Sequence, residues 1–364
     1  MTVNSESNVI VVTAPDDEND AEATPGVPGN TGLSLREAIN YANSTSGWQS
    51  ILVPSGYVIS IADVLPLPTD ASGVDIVGDG AVIDGSGNND MCFPQLPSNT
   101  NVFGLEIHNC KAEPIRTEWG TTGSQLPRLY IHNNPGPVRM DGIGNTLVPY
   151  NTVVLGSAGG VLAVGTSNIM WSTFTDNSYR AVDLPSSSPG SPVLGNVFAG
   201  NETGVLISGD DNFIAHNLFH ANSTVGFATG NGVTGTVLQN NIFMRHQAWG
   251  MWADDSELSA RDHNDYSNNT SGWCDACRAL GTGIQAVDPM LLGAAGGDFR
   301  LDPDSLLTDA GTNTGYDVNG TMAGIFNGAF PDMGAFESPQ RVSGAKRAPD
   351  DVRPARGEGA RRPP

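Results

Sequence analysis

Two adjacent aspartates, Asp210 and Asp211, stand in the sequence SGDDN and are the clearest candidates for chemistry. Paired carboxylates act as acid and base in glycoside hydrolysis, so the pair could belong to an active site. The other candidate catalytic residues are charged side chains that could approach the same surface: Asp183, Asp255, Arg180 and Arg245. Because Gly-Asp-Asp is also a common turn sequence, we favour a turn at Asp210 and Asp211 and keep catalysis as the alternative.

Near its carboxy-terminal end, the chain contains oxygen donors of the kind that Ca²⁺ takes, namely Asp309, Asn313, Asp317 and Asn319. The segment DAGTNTGYDVNG lacks the Glu that completes an EF-hand loop, so the sequence requires no cofactor and leaves Ca²⁺ as an option. His216 and His263 share one position of a sequence repeat, with Asn240 at that position between them. This separation is too long for a shared metal ion, and we expect turn or surface histidines.

The repeat has a period of about 23 residues and consists of an Asn, an apolar residue two positions later, a polar turn and a Gly. Segments such as NVFAGNETGVLI and NLFHANSTVGF illustrate it. We interpret the apolar positions as a stack of core side chains: Ile83, Ile107, Ile131, Val153, Phe174, Phe198, Phe219, Phe243 and Tyr266. Short alternating strands with Gly, Asn and Asp turns at this period predict an all-β, right-handed parallel β-helix formed by a single solenoid.

Two columns of asparagine accompany the apolar column. The first column lies two residues before the apolar position and contains Asn196, Asn217, Asn241 and Asn264. The second lies three residues after it and contains Asn134, Asn177, Asn201, Asn222 and Asn269, with His246 in place of one Asn. Stacked rungs let such side chains hydrogen-bond along the column, and we expect two ladders. If all rungs had the same length, Asp210, Asn231 and Asp255 would lie at the same position of three successive rungs. The carboxylates of Asp210 and Asp255 would then be about 9.6 Å apart, at the upper limit of the carboxyl separation in inverting glycosidases.

Elements outside the repeat are expected to cover its ends. Ser34 and Glu37 have capping-box spacing, and the apolar residues after them predict an amphipathic cap helix at about residues 35–43. We predict a lead strand and loop in residues 1–31, a β-helix domain in residues 32–337 and a basic disordered tail in residues 338–364. Within the domain, the rungs span about residues 76–285 and a non-repeating cap about residues 286–337.

The composition restricts the partners. The net charge of −22 repels nucleic acid phosphates, so we do not expect a nucleic acid ligand, whereas neutral glycans and divalent cations are compatible with this charge. No apolar run is long enough to span a membrane, and the first residues lack a signal-peptide pattern. Four cysteines are compatible with two disulfides, but the pairing stays open: Cys92, Cys110, Cys274 and Cys277.

The two end regions resemble those of a known group. LSLREAINYAN with SILVPSGYVI, and DFRLDPDSLLTDAGTN with PDMGAFE, resemble secreted bacterial right-handed parallel β-helix proteins of the pectate-lyase-like superfamily, choice-of-anchor Q type. The resemblance covers most of residues 32–337 and implies export to the extracellular space or cell surface. SGDDN also resembles the paired-Asp segment of polygalacturonases, although the flanking Asn-Thr-Asp and Gly-His-Gly segments are missing.

We therefore predict a monomeric extracellular or cell-surface scaffold that is structural or binds a polysaccharide or another cell-surface component. A fold alone confers no reaction, and the sequence contains no complete catalytic set, so we lean away from an enzyme. The alternative is a polysaccharide lyase or glycoside hydrolase that acts on acidic polysaccharide.

Overall fold

In the computed structural model, residues 8–20, 22–142, 152–275, 277, 281–283, 286–316, 318 and 326–338 are described. They contain one α-helix, α1 (Leu35–Ser44), and two short 3₁₀ helices, Gly85–Gly87 and Ala294–Gly296. The strands, numbered in chain order, are β1 (Asn8–Val11), β2 (Gln49–Val53), β3 (Val58–Ser60), β4 (Val74–Gly78), β5 (Val82–Asp84), β6 (Phe93–Leu96), β7 (Thr100–Phe103), β8 (Glu106–His108), β9 (Ile115–Thr117), β10 (Tyr130–His132), β11 (Val138–Asp141), β12 (Val153–Leu155), β13 (Val161–Val164), β14 (Ile169–Met170), β15 (Thr173–Thr175), β16 (Arg180–Leu184), β17 (Pro192–Leu194), β18 (Val197–Ala199), β19 (Thr203–Ile207), β20 (Phe213–Ala215), β21 (Leu218–His220), β22 (Val225–Thr229), β23 (Thr236–Gln239), β24 (Ile242–Met244), β25 (Trp249–Trp252), β26 (Leu258–Asp262), β27 (Asp265–Ser267), β28 (Gly272–Cys274), β29 (Leu291–Gly293) and β30 (Asp298–Leu301).

The strands stack into a right-handed parallel β-helix with three faces, as predicted. The first face contains β1, β2, β4 and β7 and, further along the stack, β14, β17, β20, β23 and β26. The second face is a ten-stranded sheet from β3 to β27, and the third is a nine-stranded sheet from β6 to β28. Each strand of the second face pairs in parallel with its counterpart about one repeat later, which makes a continuous core possible.

The predicted core column is confirmed at eight of its nine positions. Ile83, Ile107 and Ile131 are in register, and the aromatic rings that follow stack with centroids 4.6–5.3 Å apart along Phe174, Phe198, Phe219, Phe243 and Tyr266. The prediction of Val153 was wrong, because Val154 pairs with Ile131 and with Phe174 and is buried. A slip of one residue reverses the face of every side chain, and the Val-Val pair gave no way to choose the register.

Both polar ladders are confirmed. The N–H of Asn196 donates to Asn217 Oδ1 at 2.9 Å, and the N–H of Asn217 donates to Asn241 Oδ1 at 3.0 Å. In the second ladder, the N–H of Asn222 donates to Nδ1 of His246 at 3.1 Å, so the histidine substitutes for an asparagine there as predicted. A residue with positive φ precedes each rung of the first ladder, including His216 and Asn240, and asparagine tolerates this left-handed turn.

The predicted cap helix is confirmed as α1. Ser34 and Glu37 form the capping box in both directions, and the buried face of the helix carries Leu35, Ala38, Ile39 and Ala42. The helix packs against β1 and β2 at the start of the stack. No helix in the described residues is long and apolar enough to span a membrane.

The carboxy-terminal segment, defined here as the described part of residues 286–338, lies against the side of the stack. Leu301, Leu307, Met333 and Ala335 pack on outward-facing residues of β18, β21 and β24 on the second face: Val197, Ala199, Leu218, Ile242 and Met244. Backbone groups of Thr312 also bond both side-chain atoms of Asn240 at 2.7 and 2.8 Å. At the start of the segment, the N–H of Val287 donates to Asp265 Oδ1 on β27, the last strand of the second face, at 2.9 Å. The rest packs on the side of the stack because the apolar side chains there would otherwise be exposed to water.

The four cysteines form two disulfides, Cys92–Cys110 and Cys274–Cys277. The first pair lies in the core near the amino-terminal end of the stack, and the second lies beside the last strand of the third face. The predicted disordered tail lies outside the described residues except for Ser338.

Candidate functional site

The candidate catalytic residues from the sequence lie at different places on the stack. Arg180 and Asp183 lie on β16 of the third face and form an ion pair with each other. Arg245 has a positive φ in the turn between the second and third faces. The other three lie in loops between the third and first faces: Asp210, Asp211 and Asp255.

Within those loops, both Asp210 and Asp255 already have partners. Asp210 Oδ1 accepts hydrogen bonds from the N–H of Thr234 at 2.7 Å and from its hydroxyl at 3.1 Å. Asp255 pairs with Arg261 at 2.7 Å. The predicted alignment of Asp210 with Asn231 was wrong, since Thr234 lies beside Asp210; loops of unequal length shift the register there. The favoured turn interpretation fits Asp211, whose φ is +57°.

Two of the four calcium candidates can be placed. Asp309 Oδ1 accepts the N–H groups of Ala329 and Phe330, and Asn313 Oδ1 accepts the N–H of Gly315. Both oxygens therefore hold turns of the carboxy-terminal segment. Asp317 and Asn319 lie outside the described residues.

The third face presents a straight row of outward side chains on neighbouring strands. Its members follow from the strand register and form the third-face row: Arg116, Arg139, Leu162, Asp183, Leu206, Ala228 and Trp252. Six strand spacings give the row a length of about 29 Å. Asp141 joins two arginines at one end, at 3.4 Å from Arg116 and 2.8 Å from Arg139.

Exposed aromatic rings accompany this row. The side chain of Trp252 is 55% exposed, and Tyr179, just before β16, is 49% exposed. The guanidinium of Arg180 lies 4.7 Å from the centre of the Tyr179 ring, which holds the ring beside the row. The row therefore combines flat apolar surfaces with arginine and aspartate groups.

A second cluster lies on the outer surface of the second face. Glu106 and His108 are two residues apart on β8, and His132 pairs with His108 from β10. Their ligating atoms all lie within 4.8 Å of one another, and His132 Nε2 is 3.0 Å from Glu106 Oε1. The two imidazole rings stack with centroids 4.8 Å apart. Histidine nitrogen and carboxylate oxygen are common transition-metal ligands.

Neighbouring groups hold this cluster. Asp84, on β5, places Oδ1 3.6 Å from His108 Nδ1. Burial raises the pKa of Asp84, but hydrogen bonds from Asn109 and Ser86 outweigh it and lower the pKa below its usual value. Asp84 is therefore an anion at neutral pH. The amide nitrogen of Asn133 lies 2.9 Å from His132 Nδ1, on the opposite side of that ring from Glu106.

This cluster was not predicted, although the sequence contains a signal for it. In both EIHNC and YIHNN, a histidine directly follows the core isoleucine. Once Ile107 and Ile131 are placed in register, His108 and His132 must lie side by side on the outer surface, and Glu106 lies two residues from His108 on the same side of its strand.

The remaining histidines have other surroundings. His216 was expected in a turn or on the surface; it does lie in a turn, but it is buried and contacts Thr314 and Asn240 at 3.1 and 2.9 Å. Burial lowers the pKa of His216 to about 4 and that of His246 to about 3. Both are therefore neutral parts of the folded structure at neutral pH.

The chain is similar in sequence and in fold to known proteins. A model of the family described as periplasmic copper-binding protein (NosD) matches residues 78–276, more than half of the chain. The chain belongs to the NosD family. Among solved structures, this NosD-family chain is similar to pectate lyase Pel9A, with a TM-score of 0.64 and 15% identity over 92% of this chain and 98% of that one.

Another solved structure, the alginate lyase from Paenibacillus sp. str. FPU-7, matches with a TM-score of 0.46 and 12% identity over 69% of this chain and 97% of that one. No curated protein sequence matches the chain. At this level of identity, the likeness to Pel9A shows a shared parallel β-helix and no shared reaction.

Proposed function

We propose that this protein is a binding scaffold outside the cytoplasm that holds a linear polysaccharide along the third-face row. The observation that carries the proposal is the alignment of exposed aromatic rings with arginine and aspartate side chains on one straight surface. The family description, which names the periplasm, and the polysaccharide lyase fold of Pel9A support the location and the ligand class.

The shape of the row suits a polymer. Parallel strands place one side chain every 4.8 Å or so, and a linear glycan can follow such a row over several sugar rings. Trp252 and Tyr179 offer faces on which the C–H surface of a sugar can pack. The described carboxy-terminal segment packs on the second face, and its Tyr316 stacks on Phe213 at the start of β20 on the first face, so the contacts described for it involve none of the row residues.

The polar groups of the row supply orientation. Arg139 with Asp141 and Arg180 with Asp183 present N–H donors beside carboxylate acceptors, which matches the mixed hydrogen bonding of sugar hydroxyls. Each arginine already has a carboxylate partner, so the pairs can orient a neutral glycan without leaving a buried charge unpaired.

The test is binding to a panel of neutral and uronate-containing polysaccharides, measured by affinity electrophoresis and calorimetry. Trp252→Ala and Tyr179→Ala should each weaken binding about 5- to 30-fold, because removing an aromatic contact from an interface costs about 1–2 kcal/mol. Phe330→Ala is the matched control: its ring is 56% exposed but belongs to the carboxy-terminal segment, and binding should not change.

Two outcomes would overturn the proposal. If the wild-type protein binds no member of the panel, or if Phe330→Ala weakens binding as much as Trp252→Ala, the third-face row is not a glycan site. Release of reducing ends or unsaturated uronates would instead support the alternative of a hydrolase or lyase.

The family description also names copper, and the described residues fit such an ion in one place. Glu106, His108 and His132 supply two nitrogens and a carboxylate within 4.8 Å of one another, the donor types that copper takes in proteins. A bound copper ion would supply a redox-active or structural centre there.

A further inference from the structure

We propose that Glu106, His108 and His132 form a binding site for a divalent transition metal ion, with Cu²⁺ bound most tightly, on the polar part of the second face. The site is distinct from the third-face row and does not depend on glycan binding. Its basis is the convergence of three ligand atoms from two hydrogen-bonded strands.

The strand geometry fixes the arrangement of ligands. Glu106 and His108 project from one side of β8, and His132 projects from β10 at the position in register with His108. The imidazoles are stacked and so share a direction, while Glu106 reaches His132 Nε2 at 3.0 Å. Small rotations of three side chains on a rigid sheet would bring all donors to one ion.

Burial at the cluster is intermediate, as a metal site with access to solvent requires. The side chains of His132, His108 and Glu106 are 16%, 18% and 34% exposed. A site of this kind is shielded enough to strengthen the interaction but open enough for an ion to enter. The covered region of this face begins at Val197, on β18, three strands beyond β10.

Two groups are placed to position the ligands. Asp84 lies 3.6 Å from His108 Nδ1, and a carboxylate on one imidazole nitrogen directs the other nitrogen to a metal. The Asn133 amide lies 2.9 Å from His132 Nδ1; with its amide rotated, its oxygen would accept an Nδ1–H and free Nε2 for the ion. We assign Asp84 and Asn133 as positioning residues.

The donor set selects among ions. Two imidazoles and one carboxylate match Cu²⁺ and Zn²⁺, and the Irving–Williams order places Cu²⁺ above its neighbours for such a site. Ca²⁺ needs six to eight oxygen donors. We therefore expect affinity to fall from Cu²⁺ to Zn²⁺, with Ca²⁺ far weaker.

The experiment measures Cu²⁺ binding to the full chain by calorimetry, with electron paramagnetic resonance to detect nitrogen ligands. Wild type should bind one Cu²⁺ with nitrogen coupling, and the double variant His108→Ala/His132→Ala should lose that coupling and bind at least tenfold more weakly. His263→Asn is the control, because asparagine tolerates the positive φ of His263, and it should bind as wild type does.

A second variant separates positioning from ligation. Asp84→Asn can still accept the N–H of Ser86 and should leave the metal-free melting temperature unchanged. It should weaken Cu²⁺ binding about 10- to 100-fold while the nitrogen coupling persists, as expected for the partner of a ligand. If the double histidine variant binds Cu²⁺ as tightly as wild type, or if Ca²⁺ competes equally with Cu²⁺, the proposal is overturned. The third-face row lies on another face of the stack, so these results do not depend on whether Trp252→Ala and its control Phe330→Ala change glycan binding.

Discussion

Replacing Asn217 by alanine tests whether the ladders stabilise the stack. The side chain of Asn217 accepts the N–H and the side-chain amide of Asn196, and it donates to the carbonyls of Val193 and Ala215 and to Asn241 Oδ1. All five bonds are buried. Asn217→Ala leaves at least the Asn196 N–H without its acceptor, which costs about 1–3 kcal/mol, and it loses four further bonds of about 0.5 kcal/mol each, because they share the two N–H donors of one amide group and one acceptor oxygen. We expect a total loss of about 3–5 kcal/mol in the free energy of unfolding.

A serine at this position provides a graded comparison. Ser172 already occupies the same ladder, where its hydroxyl accepts the N–H of Thr152 at 3.2 Å. Asn217→Ser should therefore retain an acceptor for the Asn196 N–H and cost about half as much. Asn231→Ala changes an exposed asparagine in a turn, and we expect a change within about 0.5 kcal/mol.

The assay is denaturant unfolding followed by near-ultraviolet circular dichroism, combined with hydrogen exchange at the Asn196 amide. Solenoids can unfold in parts, and the exchange measurement reports the local bond directly. If Asn217→Ala costs no more than Asn231→Ala, or if the Asn196 amide exchanges at its wild-type rate, the ladder does not provide the stabilisation argued here.

The other predictions concern protonation and cross-linking. His246→Asn should remove part of the acid sensitivity: burial lowers the pKa of His246 to about 3, so the folded state loses stability as pH falls below about 6.5, by about 2 kcal/mol between about pH 7 and pH 5. Burial raises the pKa of Asp265 to about 6 and that of Glu337 to about 7, which stabilises the fold as pH falls. Wild type and His246→Asn share this contribution, so the difference between their stability profiles against pH reports His246 alone. If the stability of wild type and of His246→Asn depends on pH in the same way, His246 is not a source of the acid sensitivity. Replacing Cys92 and Cys110 together by serine should cost about 3 kcal/mol, since the bridge closes a loop of 18 residues, and an unchanged denaturation midpoint would contradict this.

The sequence predicted the β-helix because its strongest patterns are the ones that the stack requires. A ring at Phe198, Phe219 and Phe243 and an asparagine at a fixed offset recur only if successive rungs superimpose. The position of Val154 could not be decided, because adjacent valines satisfy the inward position equally well and only the neighbouring rungs fix the register.

The candidate site was harder to predict, because it depends on groups that face outward. Outward positions carry no repeat signal, and their neighbours become visible only when the register is known to one residue. The alignment of Asp210 with Asn231 was counted along the chain, and a loop of different length placed Thr234 beside Asp210 instead. His108 and His132 follow core residues directly, and their contact was implied by the register that the sequence already gave for Ile107 and Ile131.

The outward residues of the second face also explain where the carboxy-terminal segment packs. From β5 to β10, these positions are mainly polar, with Asp84, Glu106, His108 and His132, whereas from β18 to β24 they become apolar. Apolar outer side chains cost free energy in water, so the segment covers only that half of the face. The described residues of the segment pack on the apolar half, and the cluster of Glu106, His108 and His132 lies on the polar half. One change in pattern along a single sheet thus separates a region that stabilises the fold from a region available for a metal ion.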